Sequence, residues 1–363
     1  MSTAFPDDRS FPLGHPAVQA DMWAMHDHTH TSAAAAHALL AEHVWVALRA
    51  LGVTGGRMLL RGVDPEVLAG VPADERSGPP VRDGRLQADI PRPGWPHTRL
   101  RLVRFEPGYV PGRFDVVFLN ASFSDVVHHD GKLRHARWQE HNQDLLSSLA
   151  HTAPGGLVAA LVSADVMDAA DPGPRRGITL LADLLGAARL PGGALRNVPG
   201  CDSPVDLLLL RRRPDDQPAG GARFEASVQL PLDGVPVHLN EYFHDRIGDV
   251  LGRPVLRPMP SGPPRLTVEP DMIPLAQDLR TTLAEIVRNA AAHGLTARPS
   301  TPPSAGTGAP GDDPGAPPHA PEAGPGDAPG ADLSRPPCAG QARPTHGPLS
   351  PPPVGQDEPR PQL

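Results

Sequence analysis

Between residues 31 and 296 the chain alternates blocks of apolar strand pattern with blocks of helical pattern. Val116, Val117, Phe118 and Leu119 form an unbroken apolar run of high β preference. That run ends in Asn120-Ala121-Ser122-Phe123, a polar side chain and an aromatic ring at the carboxyl end of a strand. Residues 56–62, 85–90, 99–105, 157–162 and 206–210 read as further strands. Helical spacing is predicted over 33–50, where Leu39, Leu40, Val44 and Leu48 share a face, Thr31-Ser32 supplies the N-cap and Gly52 stands at C′. It recurs at 64–68, with Pro65 in the first turn, and at 136–150, with Trp138, Leu145, Leu146 and Leu149 as apolar positions. Residues 128–133 read as a polar loop, and 178–185 as a helix stopped by Gly186. Strands separated by helices predict an α/β layered fold with a largely parallel sheet, of about five core strands between 56 and 210.

Beyond Pro214 the character changes. Residues 224–230 and 236–240 flank an Asp233-Gly234 turn and predict a hairpin. Residues 275–293 predict a helix with Leu275, Leu279, Leu283, Ile286 and Val287 on one face and Gly294 at its end. Four regions follow: an irregular segment 1–30, an α/β domain 31–215, a small α+β extension 216–296, and a tail 297–363. The tail is Pro-, Gly- and Ala-rich and cannot bury enough surface to offset ordering entropy, so it is expected to be disordered.

Composition narrows the function classes. Of 363 residues, 39% are hydrophobic and 48 are proline, many of them in that tail. The formal net charge of −8 argues against a generic polyanion binder but leaves room for a local basic groove. Lys132 is the only lysine, so nearly all positive charge is arginine. Two cysteines, Cys201 and Cys338, give neither a disulfide framework nor a CxxC metal knuckle. No apolar run approaches a membrane span, and residues 1–21 lack the basic start and apolar core of a signal peptide, so the expectation is a cytoplasmic protein without a membrane partner. His26, His28 and His30 would share one face of a strand and could there ligate a metal; a solvated polar segment is the plainer reading. No P-loop and no G-x-S-x-G occurs, which excludes an independent ATPase and speaks against a hydrolase triad.

The strand-end tetrapeptide suggests chemistry on a base. An exocyclic amine has its lone pair delocalised into the ring. A site can help by accepting hydrogen bonds from both amine hydrogens while an aromatic ring stacks a flipped base. Asn120 offers an amide oxygen, Ala121 a backbone carbonyl and Phe123 a stacking face. The ordinary alternative is that Asn120 ends a strand and Phe123 is core.

Residues 31–296 resemble the adenine-N6 DNA methylase domain of phage- and plasmid-type methyltransferase–helicase proteins. That family's N-x-P-F tetrapeptide corresponds to Asn120-Ala121-Ser122-Phe123. Flanking segments match in kind and order: Phe114-Asp-Val-Val, Glu140-His-Asn142, Pro154-Gly-Gly-Leu-Val-Ala with Met167-Asp168, Gly200-Cys-Asp202, and Asn240-Glu-Tyr-Phe243. The resemblance implies a Rossmann-like class I methyltransferase sheet with helices on both faces and S-adenosyl-L-methionine as cofactor. It also implies a DNA substrate and a separate helicase or restriction component as partner. It assigns Asn120, Ala121 and Phe123 to catalysis and Gly62, Asp64 and Asp89 to the cofactor, with Asp89 gripping the ribose. His141 would face the site or, equally, pin its helix to the strand loop. Departures accompany the matches. The family's glycine-rich turn is here Leu60-Arg-Gly-Val-Asp-Pro-Glu66, in which Gly62 alone is kept and two carboxylates stand where a backbone must approach a ligand. The middle proline of the tetrapeptide is Ser122, and no helicase portion is present. Two readings therefore stand: an adenine-N6 methyltransferase acting on a flipped base, and a catalytically inactive methyltransferase-like module that binds DNA or protein.

Overall fold

The N-terminal segment is the first departure from expectation. In a computed structural model, which describes residues 9–71, 84–90, 103–104, 114–259 and 263–298, Pro16–His30 is a helix, α1. Proline occupies its first turn, and the side chain of His15 accepts the orphan N–H of Ala17 at 3.2 Å. The three histidines thus lie on a helix, not a strand. His26 and His30 stack one turn apart with ring centroids 4.0 Å apart and face solvent, while His28 points inward and is buried. They cannot share one metal.

The other helices are α2 (Ala34–Ala50), α3 (Pro65–Leu68), α4 (Gly131–His151), α5 (Asp165–Asp168), α6 (Gly173–Leu181), α7 (Glu241–Asp245) and α8 (Leu275–Ala292). The strands are β1 (Arg57–Gly62), β2 (Gly84–Asp89), β3 (Val103–Arg104), β4 (Phe114–Asn120), β5 (Thr152–Ser163), β6 (Ala182–Leu190), β7 (Val205–Arg212), β8 (Ser227–Leu232), β9 (Val235–Asn240), β10 (Arg253–Arg257) and β11 (Arg265–Glu269). α2, α8 and the hairpin β8–β9, turned at Asp233-Gly234, stand where the pattern placed them. α4 begins at Gly131, inside the expected loop, because the Asp130 carboxylate accepts the N–H groups of Lys132 and Leu133 and starts the helix early. The sequence pattern did not reveal α7, β10 or β11.

A seven-stranded sheet runs in the order β3-β2-β1-β4-β5-β7-β6. β1, β4 and β5 are parallel neighbours, whereas β2 pairs antiparallel with β1 and β7 lies antiparallel between β5 and β6. β1, β3, β4, β5 and β6 therefore point one way, and β2 and β7 the other. The fold is mixed α/β, parallel in prevailing direction but with only β1–β4 and β4–β5 paired in parallel. The helical cover explains the unbroken apolar run of β4. Val116 and Phe118 join the core formed with α2, α3 and α8, while Val117 and Leu119 join the core on the opposite face with Leu145 and Leu149 of α4.

Residues 182–190 correct the helix expected over 178–185. The helix ends at Leu181 and all nine residues of β6 are buried strand. A short apolar run does not distinguish buried strand from buried helix, and here pairing with β7 decides. Gly186 is not a helix stop. It sits at a register shift in β6, where an added Cβ would lie 2.5 Å from Cγ1 of Ile286 on α8.

The described residues all fall in one compact unit, so the described part of the extension 216–296 belongs to the same body as the sheet, with α8 packed on β6. The tail expected over 297–363 lies outside the described residues from position 299 onward, as does most of the strand expected over 99–105. No described helix is long and apolar enough to cross a membrane.

Candidate functional site

The sheet order reverses between β1 and β4, and in open α/β sheets ligands bind beyond the strand carboxyl ends at such a point. Gly62 and Asn120 meet there as register partners. Gly62 has φ +92°, and a Cβ on it would lie 2.0 Å from the Asn120 carbonyl oxygen, so only glycine fits. The next residue closes the junction from both sides. Val63 N–H donates to the Asn120 carbonyl at 2.9 Å, and Asn120 Nδ2 donates to the Val63 carbonyl at 2.5 Å. Asn120 is thus buried with its amide orientation fixed, and among the described residues its Oδ1 takes no hydrogen bond.

The loop after Asn120 is held by α4 and α1. Ala121 N–H donates to the Leu161 carbonyl at 3.0 Å. His141 Nε2 donates to the Ser122 carbonyl at 2.8 Å while its Nδ1 accepts the Ser163 N–H at 3.1 Å, so the proton sits on Nε2. Complete burial, aided by the charge of Arg137, pushes the His141 pKa down to about 3 and keeps the ring neutral. His141 therefore pins its helix to the strand loop. Phe123 has a left-handed φ of +55° and its ring lies against His28, centroids 4.7 Å apart, in a small core with Ala24, Val126 and Cys201. The ring expected to stack a base thus has a neighbour in His28 of α1 and stays half-buried.

α1 is anchored by buried polar contacts that the sequence pattern did not reveal. His28 Nδ1 donates to Asp125 at 2.8 Å, and the other oxygen of Asp125 accepts from Arg196 at 2.8 Å. Burial alone would raise the Asp125 pKa, but the His28 hydrogen bond and the Arg196 charge outweigh it and hold the carboxyl below its usual range. The Asp21 carboxylate accepts the N–H groups of His129 and Asp130, each at 2.8 Å. His28, Asp125 and Cys201 bring potential ligand atoms within 4.8 Å of one another. The Asp125 carboxylate is matched there by His28 and Arg196, and burial with the nearby Asp125 pushes the Cys201 thiol up to about 12.

The expected cofactor residues are not brought together. Asp64 follows Val63 with a left-handed φ of +43° and caps α3, a single buried turn, without a side-chain cap bond. Glu66 is buried in that turn. Asp89 stands elsewhere. Because β2 runs antiparallel to β1, Gly84 pairs with Gly62 and Asp89 pairs with Arg57, at the amino edge. Five residues of strand, roughly 17 Å, separate the level of Asp89 from that of Gly62. Asp89 cannot grip a ribose whose methionine end lies at Gly62. The residues present do not fit S-adenosyl-L-methionine.

A polar cavity of about 180 Å³ opens on the same sheet edge, displaced toward the far side of β5. It lies among the loop 127–129, the start of α4, Asp165, β9 and β11. Arg134 and Arg137 converge there on Asp165, with Arg137 Nη2 to Oδ2 at 2.5 Å and Arg134 Nη2 to Oδ1 at 2.6 Å. Arg137 also donates to the carbonyls of Phe123 and Val126, which ties the cavity to the tetrapeptide loop. Neither the arginines nor the cavity was visible in the sequence, because they come from elements far apart in the chain. Comparison with known proteins finds no matching family model, no matching curated protein and no matching solved structure.

Proposed function

We propose that this chain is a methyltransferase-like module that binds DNA without transferring a methyl group. The strand order 3-2-1-4-5, with β6 at the far edge, follows the Rossmann order with one reversed strand, β7, inserted before the last. That order supports the class I methyltransferase resemblance, as does the meeting of Gly62 with Asn120 at the reversal point. The reversal of β2 carries the argument against turnover, since it removes Asp89 from the edge where a cofactor ribose would need it. Asp64 and Glu66 add two carboxylates opposite the cofactor's own, and His28 of α1 lies against the Phe123 ring. The arginine-lined cavity at the same edge supports a polyanionic partner.

One observation favours the enzyme as a second reading: Asn120 is held by Val63 with its amide oxygen taking no hydrogen bond from a described residue, as an amine acceptor would be. The two separate in one experiment on the full chain, using a labelled duplex oligonucleotide and methyl-labelled S-adenosylmethionine. The binding reading predicts salt-sensitive anisotropy gain on DNA and no label transfer. Label transfer to adenine that is lost in Asn120→Ala would establish the enzyme instead.

A further inference from the structure

The cavity beyond β5 differs from its surroundings in charge and in hydrogen bonding. Its lining holds the guanidinium groups of Arg9, Arg134, Arg137, Arg257 and Arg265 against the carboxylates of Asp165, Asp168 and Asp202, in a chain whose net charge is −8. All three carboxylates are already matched: Asp165 by Arg134 and Arg137, Asp168 by Arg189, and Asp202 by Arg257. The lining thus carries more guanidinium groups than carboxylates.

The lining also concentrates polar atoms without hydrogen-bond partners. Among the described residues, Arg137 Nε and Thr267 Oγ1 are such atoms, on residues 6% and 5% exposed, while His128 Nδ1, also without a hydrogen bond, lies 3.9 Å from the Asp21 carboxylate. His129 Nδ1 and His238 Nδ1 are two more on the same wall. Native structures keep few buried polar groups unpaired, and a cluster of them around one cavity calls for an occupant. Arg137 Nε can only donate, and a hydroxyl or a neutral imidazole can also donate. These groups come from different elements: the start of α4, the loop before it, β9 and β11. They suit an acceptor with oxygens in several directions rather than a planar carboxylate. The volume, below the ~300–1,000 Å³ of drug-sized sites, admits a small group.

We infer that this cavity seats a single phosphate group. The inference deepens the DNA-binding reading, because a backbone phosphodiester is one source of that group; a free phosphorylated small molecule is the other. The loop that carries His128 and His129 leaves the Asn120 tetrapeptide, and Arg137 holds the carbonyls of Phe123 and Val126, so a seated phosphate would lie one hydrogen-bond layer from the strand-end site.

Calorimetric titration of inorganic phosphate into the full chain tests this, with Thr267→Val and Arg257→Ala as variants. Thr267→Val keeps the shape and removes a hydroxyl; Arg257 is partly exposed, so its loss does not hollow the core. Saturable phosphate binding, weakened about tenfold or more by either variant with unfolding midpoints unchanged, is expected from loss of one hydrogen bond to a charged group. No phosphate binding by the wild-type chain, or binding equal in wild type and both variants, overturns the inference. Competition by an oligonucleotide, but not by its uncharged methylphosphonate analogue, identifies the backbone as the source. Oligonucleotide binding that ignores phosphate and both variants sinks the seat while leaving DNA binding in place. Phosphate binding lost in the variants, with no oligonucleotide bound, keeps the seat and ends the DNA reading.

Discussion

The His141 imidazole sits between a carbonyl and an N–H, with no water-facing nitrogen, and this makes it a pH-sensitive element of stability rather than a proton shuttle. Its folded pKa, about 3, lies below the unfolded value of 6.5 because burial and Arg137 disfavour the charged ring, with Asp165 opposing weakly. A histidine with a depressed folded pKa contributes fully above the unfolded pKa, and its contribution is lost as pH falls from there toward the folded value. At pH 5 protonation of the unfolded ring withdraws about 2 kcal/mol. In His141→Gln, which can keep both hydrogen bonds, the fall of the urea midpoint between pH 7 and 5 should be shallower by about one proton. An unchanged slope would show that His141 is not buried neutral. Asn120 belongs to the same scale. Its residue type and strand-end position were readable in the sequence, but the bond to Val63 was not, since it depends on how β1 and β4 come into register.

At the level of elements, β4 was legible and β6 was not, for one physical reason. β4 is rich in β-branched and aromatic residues, so local preference and tertiary environment agree. β6, Ala-Asp-Leu-Leu-Gly-Ala-Ala-Arg-Leu, is made of helix formers and becomes a strand only because β7 and α8 enclose it. Gly186 records that enclosure. Gly186→Val should destabilise the protein by about 1–3 kcal/mol through overpacking against Ile286. The double variant with Ile286→Ala should recover part of that loss. Equal stability of Gly186→Val and wild type in urea would place α8 elsewhere. α1 escaped the sequence reading because its buried face mixes small apolar residues, Ala17, Val18 and Ala24, with the polar Asp21 and His28. Asp21 and His28, both buried, read as ordinary surface residues until the loop 125–130 is folded beneath them.

For the whole molecule, the alternation of strand and helix sufficed for an α/β layered body, whereas the pairing of Gly62 with Asn120 at its centre came only with the strand register. The alternation did not reveal strand direction. A period-two pattern is the same read either way along a sheet edge, so the assignment of Asp89 to a ribose rested on β2 being parallel to β1. The observed reversal leaves Gly62 and Asn120 together at the strand carboxyl ends and carries Asp89 to the opposite edge of the sheet. The arginine-lined cavity lies beyond β5, on the other side of that junction from β2.

The central proposal is that this sheet does not bind S-adenosylmethionine, and calorimetric titration of that cofactor into the full chain tests it most directly. The account predicts no saturable heat at millimolar ligand, in the wild-type chain and in Asn120→Ala alike. A saturable binding isotherm accompanied by methyl transfer to duplex DNA, with the transfer abolished by Asn120→Ala, would contradict it.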